Sequence, residues 1–174
     1  MMIGFLKLAS AAALMCALVP AASAQESFPE KEFGRWRVYG WDKSCWISTE
    51  AADGTSFRIS DSDNPGDVYL SFANPAWDWI EGGSTLNMTV RLGTTDIEAT
   101  GFGNGGATMP PGVGLFLDST ERSHLAMLRA GGSVALSHEG KLLTRLDVDL
   151  SGEGYDYYDR CLKQVDVYAK SEDD

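Results

Sequence analysis

Leu142-Leu143-Thr144-Arg145-Leu146-Asp147-Val148-Asp149-Leu150 decides the fold class. Leu142, Thr144, Leu146, Val148 and Leu150 fall on one side of an extended chain, and Leu143, Arg145, Asp147 and Asp149 on the other. A period of two with one apolar side belongs to a strand that packs on one face and meets water on the other. His138-Glu139-Gly140-Lys141 precedes it as a hairpin loop, and Ser133 to Ser137 supplies the partner strand.

Segments of similar composition recur toward the N-terminus: Arg35 to Tyr39, Ser44 to Thr49, Ser56 to Ser60, Asp67 to Ala73, Thr85 to Leu92 and Asp96 to Phe102. Turn formers separate them, among them Asp53-Gly54, Asn64-Pro65-Gly66 and Gly82-Gly83. Regular short strands of this kind predict a mainly β fold, an antiparallel β-sandwich with one or two short helices near the C-terminus. Ser119 is placed to cap a helix over Thr120 to Ala130, and Ser151 or Gly152 to start another over Glu153 to Val165, which carries Tyr157, Tyr158, Cys161 and Leu162.

Residues 1–24 have the pattern of a secretory signal peptide: Lys7, an apolar run from Leu8 to Val19, and Ala22-Ser23-Ala24 before Gln25. The apolar run is too short to span a bilayer, which takes about 20 residues. Residues 25–32 read as a loose N-terminal arm, 33–168 as a single β-rich domain and 169–174 as an acidic tail. The expected location is periplasmic or secreted. Removal of the signal takes Cys16 with it and leaves Cys45 and Cys161, which in an oxidising compartment predict one disulfide.

The 174 residues hold 14 Lys and Arg against 25 Asp and Glu, a formal net charge of −11. Such a surface repels phosphate backbones, so no nucleic-acid partner and no membrane span is expected.

Candidate chemistry is sparse. Gly101-Phe102-Gly103-Asn104-Gly105-Gly106 matches G-x-G-x-x-G in letters, but Met109-Pro110-Pro111-Gly112 stands where the following helix should run, so a flexible loop is expected. Asp61, Asp63, Asn64 and Asp67 gather oxygen ligands around Gly66 as a calcium loop does, while Pro65 and Phe72 occupy positions that such a loop gives to ligands; a plain hairpin loop is favoured, and no cofactor is expected beyond this calcium alternative. Ser123 and His124 are neighbours on a helix and cannot face each other, and His138-Glu139 lacks the second histidine of H-E-x-x-H. No catalytic residue is assigned. All five tryptophans lie between Trp36 and Trp79. Trp77 and Trp79 flank Asp78 and would share one strand face, as a core pair or as an exposed platform for a sugar ring.

The signal-like start, Gly34-Arg35-Trp36-Arg37-Val38, the early Cys45 and the closing strand Leu142 to Leu150, running through Ser151-Gly152 into a segment with Cys161, resemble small exported bacterial proteins of the invasion-associated locus B type. The resemblance implies an extracytoplasmic β-rich domain without a known catalytic apparatus, and no functional residue is carried over from it. The expected function is non-enzymatic binding or interaction in the cell envelope, with an envelope protein or glycan as partner. The alternative is a carbohydrate-binding or carbohydrate-active protein that uses Trp77 and Trp79.

Overall fold

The computed structural model describes residues 28–41, 44–61, 68–106, 109–117, 128–130 and 132–171, with side chains described at 28–41, 44–60, 68–106, 109–117, 128–130 and 132–164. The signal-like residues 1–24, the calcium-like positions 62–67, most of the helix expected over Thr120 to Ala130, and residues 172–174 lie outside them.

Among the described residues, ten strands form one antiparallel sheet: β1 (Lys31–Phe33), β2 (Trp36–Trp41), β3 (Ser44–Glu50), β4 (Ser56–Asp61), β5 (Val68–Ala73), β6 (Thr85–Leu92), β7 (Thr95–Gly106), β8 (Met109–Leu117), β9 (Gly132–His138) and β10 (Lys141–Val148). A long helix, α1 (Gly152–Ser171), follows. The sheet order is β1-β2-β3-β4-β5-β8-β7-β6-β9-β10.

The expected sandwich is corrected by this topology. Alternation requires that one face of each strand be buried, but a curled sheet meets that requirement as well as a second sheet does. Here one continuous sheet curls into a half-barrel around its own inner face. Val38, Ile47, Ile59, Leu70, Leu115, Val90 and Leu136 are at most 2% exposed and carry the core from strand to strand.

Strand placement follows the sequence reading closely, with three informative differences. The ordered fold begins with β1 inside the segment read as a loose arm, because Lys31, Glu32 and Phe33 pair with Val38, Arg37 and Trp36. The glycine-rich stretch read as a flexible loop is instead the body of the β7–β8 hairpin. Its glycines mark close approach: a Cβ on Gly103 would collide with the Glu81 carbonyl and the Ser84 hydroxyl, and Gly103 makes backbone hydrogen bonds of 2.8 Å with Gly83 and Ser84. Finally, a bulge between Leu142 and Thr144 shifts the register of β10. Leu142, expected in the core, is therefore 57% exposed, while Thr144, Leu146, Val148 and Leu150 are buried as the alternation requires.

The C-terminal helix is longer than expected and runs to Ser171. Tyr155, Tyr158 and Cys161 form its buried side, and Cys161 is bonded to Cys45 of β3 with the two Cα atoms 5.9 Å apart. This contact holds α1 against the inner side of β1, β2 and β3. Among the described residues no helix is long and apolar enough to cross a membrane.

Candidate functional site

The outer face of the sheet carries an aromatic row that no local segment announces. Alternation turns Tyr39, Trp46, Ser60, Tyr69 and Phe116 outward, and pairing aligns them: Tyr39 opposite Trp46, Trp46 opposite Ser60, Ser60 opposite Tyr69, and Tyr69 opposite Phe116. Trp46 meets Tyr69 edge-on at 6.1 Å between centroids, Tyr69 lies 4.9 Å from Phe116, and Phe116 meets Phe102 of β7 at 6.5 Å. With strands about 4.8 Å apart, the row from β3 to β7 spans about 19 Å. Phe116 and Phe102 are 55% and 49% exposed, and Trp41 near the edge of the same face is 70% exposed.

Small residues make room for these rings. A Cβ on Gly114 would run into the Tyr69 ring, so Tyr69 lies flat across β8 at that point. Ser48 and Ser60 are buried beneath neighbouring side chains although they belong to the outer face. The indole Nε1 of Trp46 is also buried and finds no acceptor among the described residues. A second register row, Arg37, Ser48, Arg58, Ser71 and Gly114, runs beside the first and places two guanidinium groups on either side of Ser48. Arg37 reaches Glu30 at a long 3.8 Å, and both side chains are exposed. The sequence signal for this face was present in the alternation of aromatic and small residues along β5 and β8, but which strands lie side by side is not a local property.

The two tryptophans singled out from sequence do not share a face. Both lie in the turns between β5 and β6, outside any strand, where the Trp77 N–H donates to Asn74 O and the Ile80 N–H donates to Trp77 O. Trp77 is 6% exposed and belongs to the core, whereas Trp79 is 44% exposed and stacks on His138 with centroids 5.1 Å apart. The strand-face platform is thus corrected to one buried and one exposed ring. His138 Nδ1 lies 2.9 Å from the Asn87 carbonyl oxygen. Of the calcium-like positions, Asp61 ends β4 opposite Val68 through its backbone, while Asp63, Asn64 and Asp67 lie outside the described residues. Among the described residues no three His, Cys, Asp or Glu side chains gather in a metal-holding group.

Three carboxylates among the described residues are held below the ordinary range. The Trp36 indole N–H holds the Asp149 carboxylate low, with Arg35 adding to it, against a smaller opposing effect of burial. Burial raises Asp53, but hydrogen bonds from Thr55 and its neighbours together outweigh it and leave the group lowered. Asp96, at the start of β7, is lowered by the hydrogen bonds it accepts from the Arg91 guanidinium. None of the three belongs to the aromatic row.

No protein-family model matches the sequence, and no curated protein matches it. Among solved structures, the crystal structure of invasion associated protein B from Bartonella henselae matches with a TM-score of 0.48 and 14% identity, covering 82% of this chain and 99% of that one. It bears the name of the family that the sequence resembles.

Proposed function

We propose that this chain is an exported, non-enzymatic binding domain of the cell envelope, periplasmic or secreted, and that it binds through the outer face of its sheet. The observation that carries the reading is the row Trp46, Tyr69, Phe116 and Phe102 on the side away from the core and from α1, with Trp46 and Tyr69 half-buried and Phe116 and Phe102 exposed. Large rings left in water forgo their burial energy, about 1.5–3 kcal/mol for a side chain the size of Phe, and a binding surface recovers it. Support for export comes from residues 1–24 and from the Cys45–Cys161 disulfide, a bond at home in an oxidising compartment.

The test is sedimentation with an isolated envelope preparation. Wild-type protein should co-sediment, and Phe102→Ser with Phe116→Ser should release it while leaving the thermal melt in place. Equal binding by the double variant overturns the assignment of this face. The carbohydrate reading centred on Trp77 and Trp79 keeps only Trp79 as an exposed ring, and Trp79→Ala in the same assay separates the two surfaces.

A further inference from the structure

Residues 28–33 lie as a strap beside the covalent link between α1 and the sheet. The Phe28 carbonyl accepts the Gly40 N–H at 3.1 Å, and Lys31, Glu32 and Phe33 then pair with Val38, Arg37 and Trp36. Gly40 reveals what the strap covers: a Cβ there would meet Phe28 Cβ at 2.5 Å and Cys161 Sγ at 3.2 Å. The Phe28 side chain and the disulfide sulfur thus converge on one bare Cα, and a glycine leaves room for both. Cys45 and Cys161 are fully buried, and Phe28 is packed against the core that contains them.

The strap is held from the helix side by rings. Phe28 and Phe33 lie 4.8 Å and 5.6 Å from Tyr157 of α1, and the Tyr157 hydroxyl donates to the Pro29 carbonyl at 3.0 Å. The Lys31 ammonium stands 5.0 Å from the Phe33 ring and 5.4 Å from Tyr157, and the Arg160 guanidinium 5.1 Å from Tyr157. All three rings are half-buried, whereas Val38, Cys45 and Ile47 beneath this corner are fully buried. A terminal segment held by half-buried rings and a three-residue strand opens before the sheet does. Reduction of the disulfide needs such an opening. A thiolate must reach one sulfur, bond to it and expel the other cysteine as a thiolate; the second thiol of a dithiol then resolves the mixed disulfide. Two electrons and two protons pass to Cys45 and Cys161, and the reductant leaves as its own disulfide. At Cys161 Sγ, the sulfur next to Phe28, that approach waits on the strap.

We infer that residues 28–33 gate the disulfide: a dithiol reductant reaches the Cys45–Cys161 bond while the strap is lifted, with the rest of the sheet still folded, and reduction then frees α1 from β3. The experiment is reduction of the exported chain by dithiothreitol at fixed pH, with thiols trapped by alkylation and counted by mass, at several urea concentrations below the unfolding transition. The wild-type rate should be flat in low urea, because lifting the strap exposes little surface. Phe28→Ser should speed reduction about tenfold and Tyr157→Phe, which removes the bond to Pro29 and keeps the ring, about threefold. Val90→Ala, a core truncation in β6, should leave the rate without urea unchanged, since it lowers global stability and does not touch the strap. Wild-type rates in both strap variants overturn the gate. So does a wild-type rate that climbs from zero urea with the full dependence of unfolding, or a Val90→Ala rate raised as much as that of Phe28→Ser, because the disulfide is then reached through global unfolding.

Discussion

Trp36 Nε1 donates to Asp149 Oδ1 at 2.7 Å, tying the start of β2 to the residue just past the end of β10. β1 and β10 are the two edges of the sheet, so this bond draws opposite ends of the half-barrel together. Arg35 strengthens the clasp: its Nε donates to Asp149 Oδ1 at 3.1 Å and its second guanidinium nitrogen donates to the Asp147 carbonyl. A carbonyl at the end of β10 is thereby occupied, which blunts an edge that would otherwise invite another strand.

Asp149→Ala should therefore lower stability by about 1 kcal/mol, the net worth of a charge-assisted hydrogen bond discounted for an exposed acceptor. Trp36 itself stays buried against Phe57, so the fold should survive. Urea unfolding followed by tryptophan emission measures the change, and an unchanged midpoint would show that the clasp contributes nothing.

The same bond predicts an acid dependence. The Asp149 carboxyl is held below its unfolded value, so on acidification the unfolded chain takes up this proton first. Its stabilisation is present above the ordinary carboxylate value of 3.8 and is lost as pH falls through the lower folded-state value. Asp149→Asn should flatten the fall in urea midpoint below pH 4, and an identical slope would assign acid sensitivity to other carboxylates such as Asp53.

Tyr155 titrates in the opposite direction. Burial pushes its phenol up to about 12, and its hydroxyl donates to Leu128 O at 2.9 Å. Because the folded value exceeds the unfolded one, near 10, its contribution is whole below pH 10 and is lost as pH rises from 10 toward 12. Tyr155→Phe should be less stable at neutral pH by about 1 kcal/mol, and should lose less further stability than wild type between pH 10 and 12.

Cys45 and Cys161 are 116 residues apart in sequence, and their bond is the covalent link between α1 and the sheet. A loop of that length restricts the unfolded chain by about 4–5 kcal/mol in the entropy model. Cys45→Ala with Cys161→Ala should lower stability to urea by a corresponding amount, about 2–5 kcal/mol, and hydrogen exchange should rise first in residues 152–161. Exchange that rises evenly over the sheet would show that the helix is held by packing alone.

Gly103 and Gly106 separate a structural hairpin from a flexible loop. At Gly103 a Cβ meets the backbone of Glu81, whereas at Gly106 there is nothing within 4 Å. Gly103→Ala should cost about 3 kcal/mol through forced displacement of backbone, and Gly106→Ala less than about 1 kcal/mol. Equal, small losses in both would contradict the packed hairpin.

The alternation in residues 142–150 was enough to establish a half-buried strand, and the count of two cysteines after residue 24 was enough to name the disulfide. Local information also placed β6 to the residue, since Thr85 and Leu92 bound a run of strand formers between Gly83 and Gly93. The bulge at Leu143 was not legible: it arises in the pairing of β10 with β9, and it alone moves Leu142 from core to surface.

What the sequence by itself determined is which residues extend, which side of each strand is apolar, and which cysteines pair, because each follows from neighbours along the chain or from a count. What only the tertiary structure decided is that β5 lies beside β8 and not β6, that the sheet curls on itself in place of packing against a second one, and that Trp77 is core while Trp79 is exposed. The aromatic row belongs to this second group. Trp46, Tyr69, Phe116 and Phe102 come from four separate strands, and the pairing that aligns them is decided by competition among long-range contacts that no window of sequence contains.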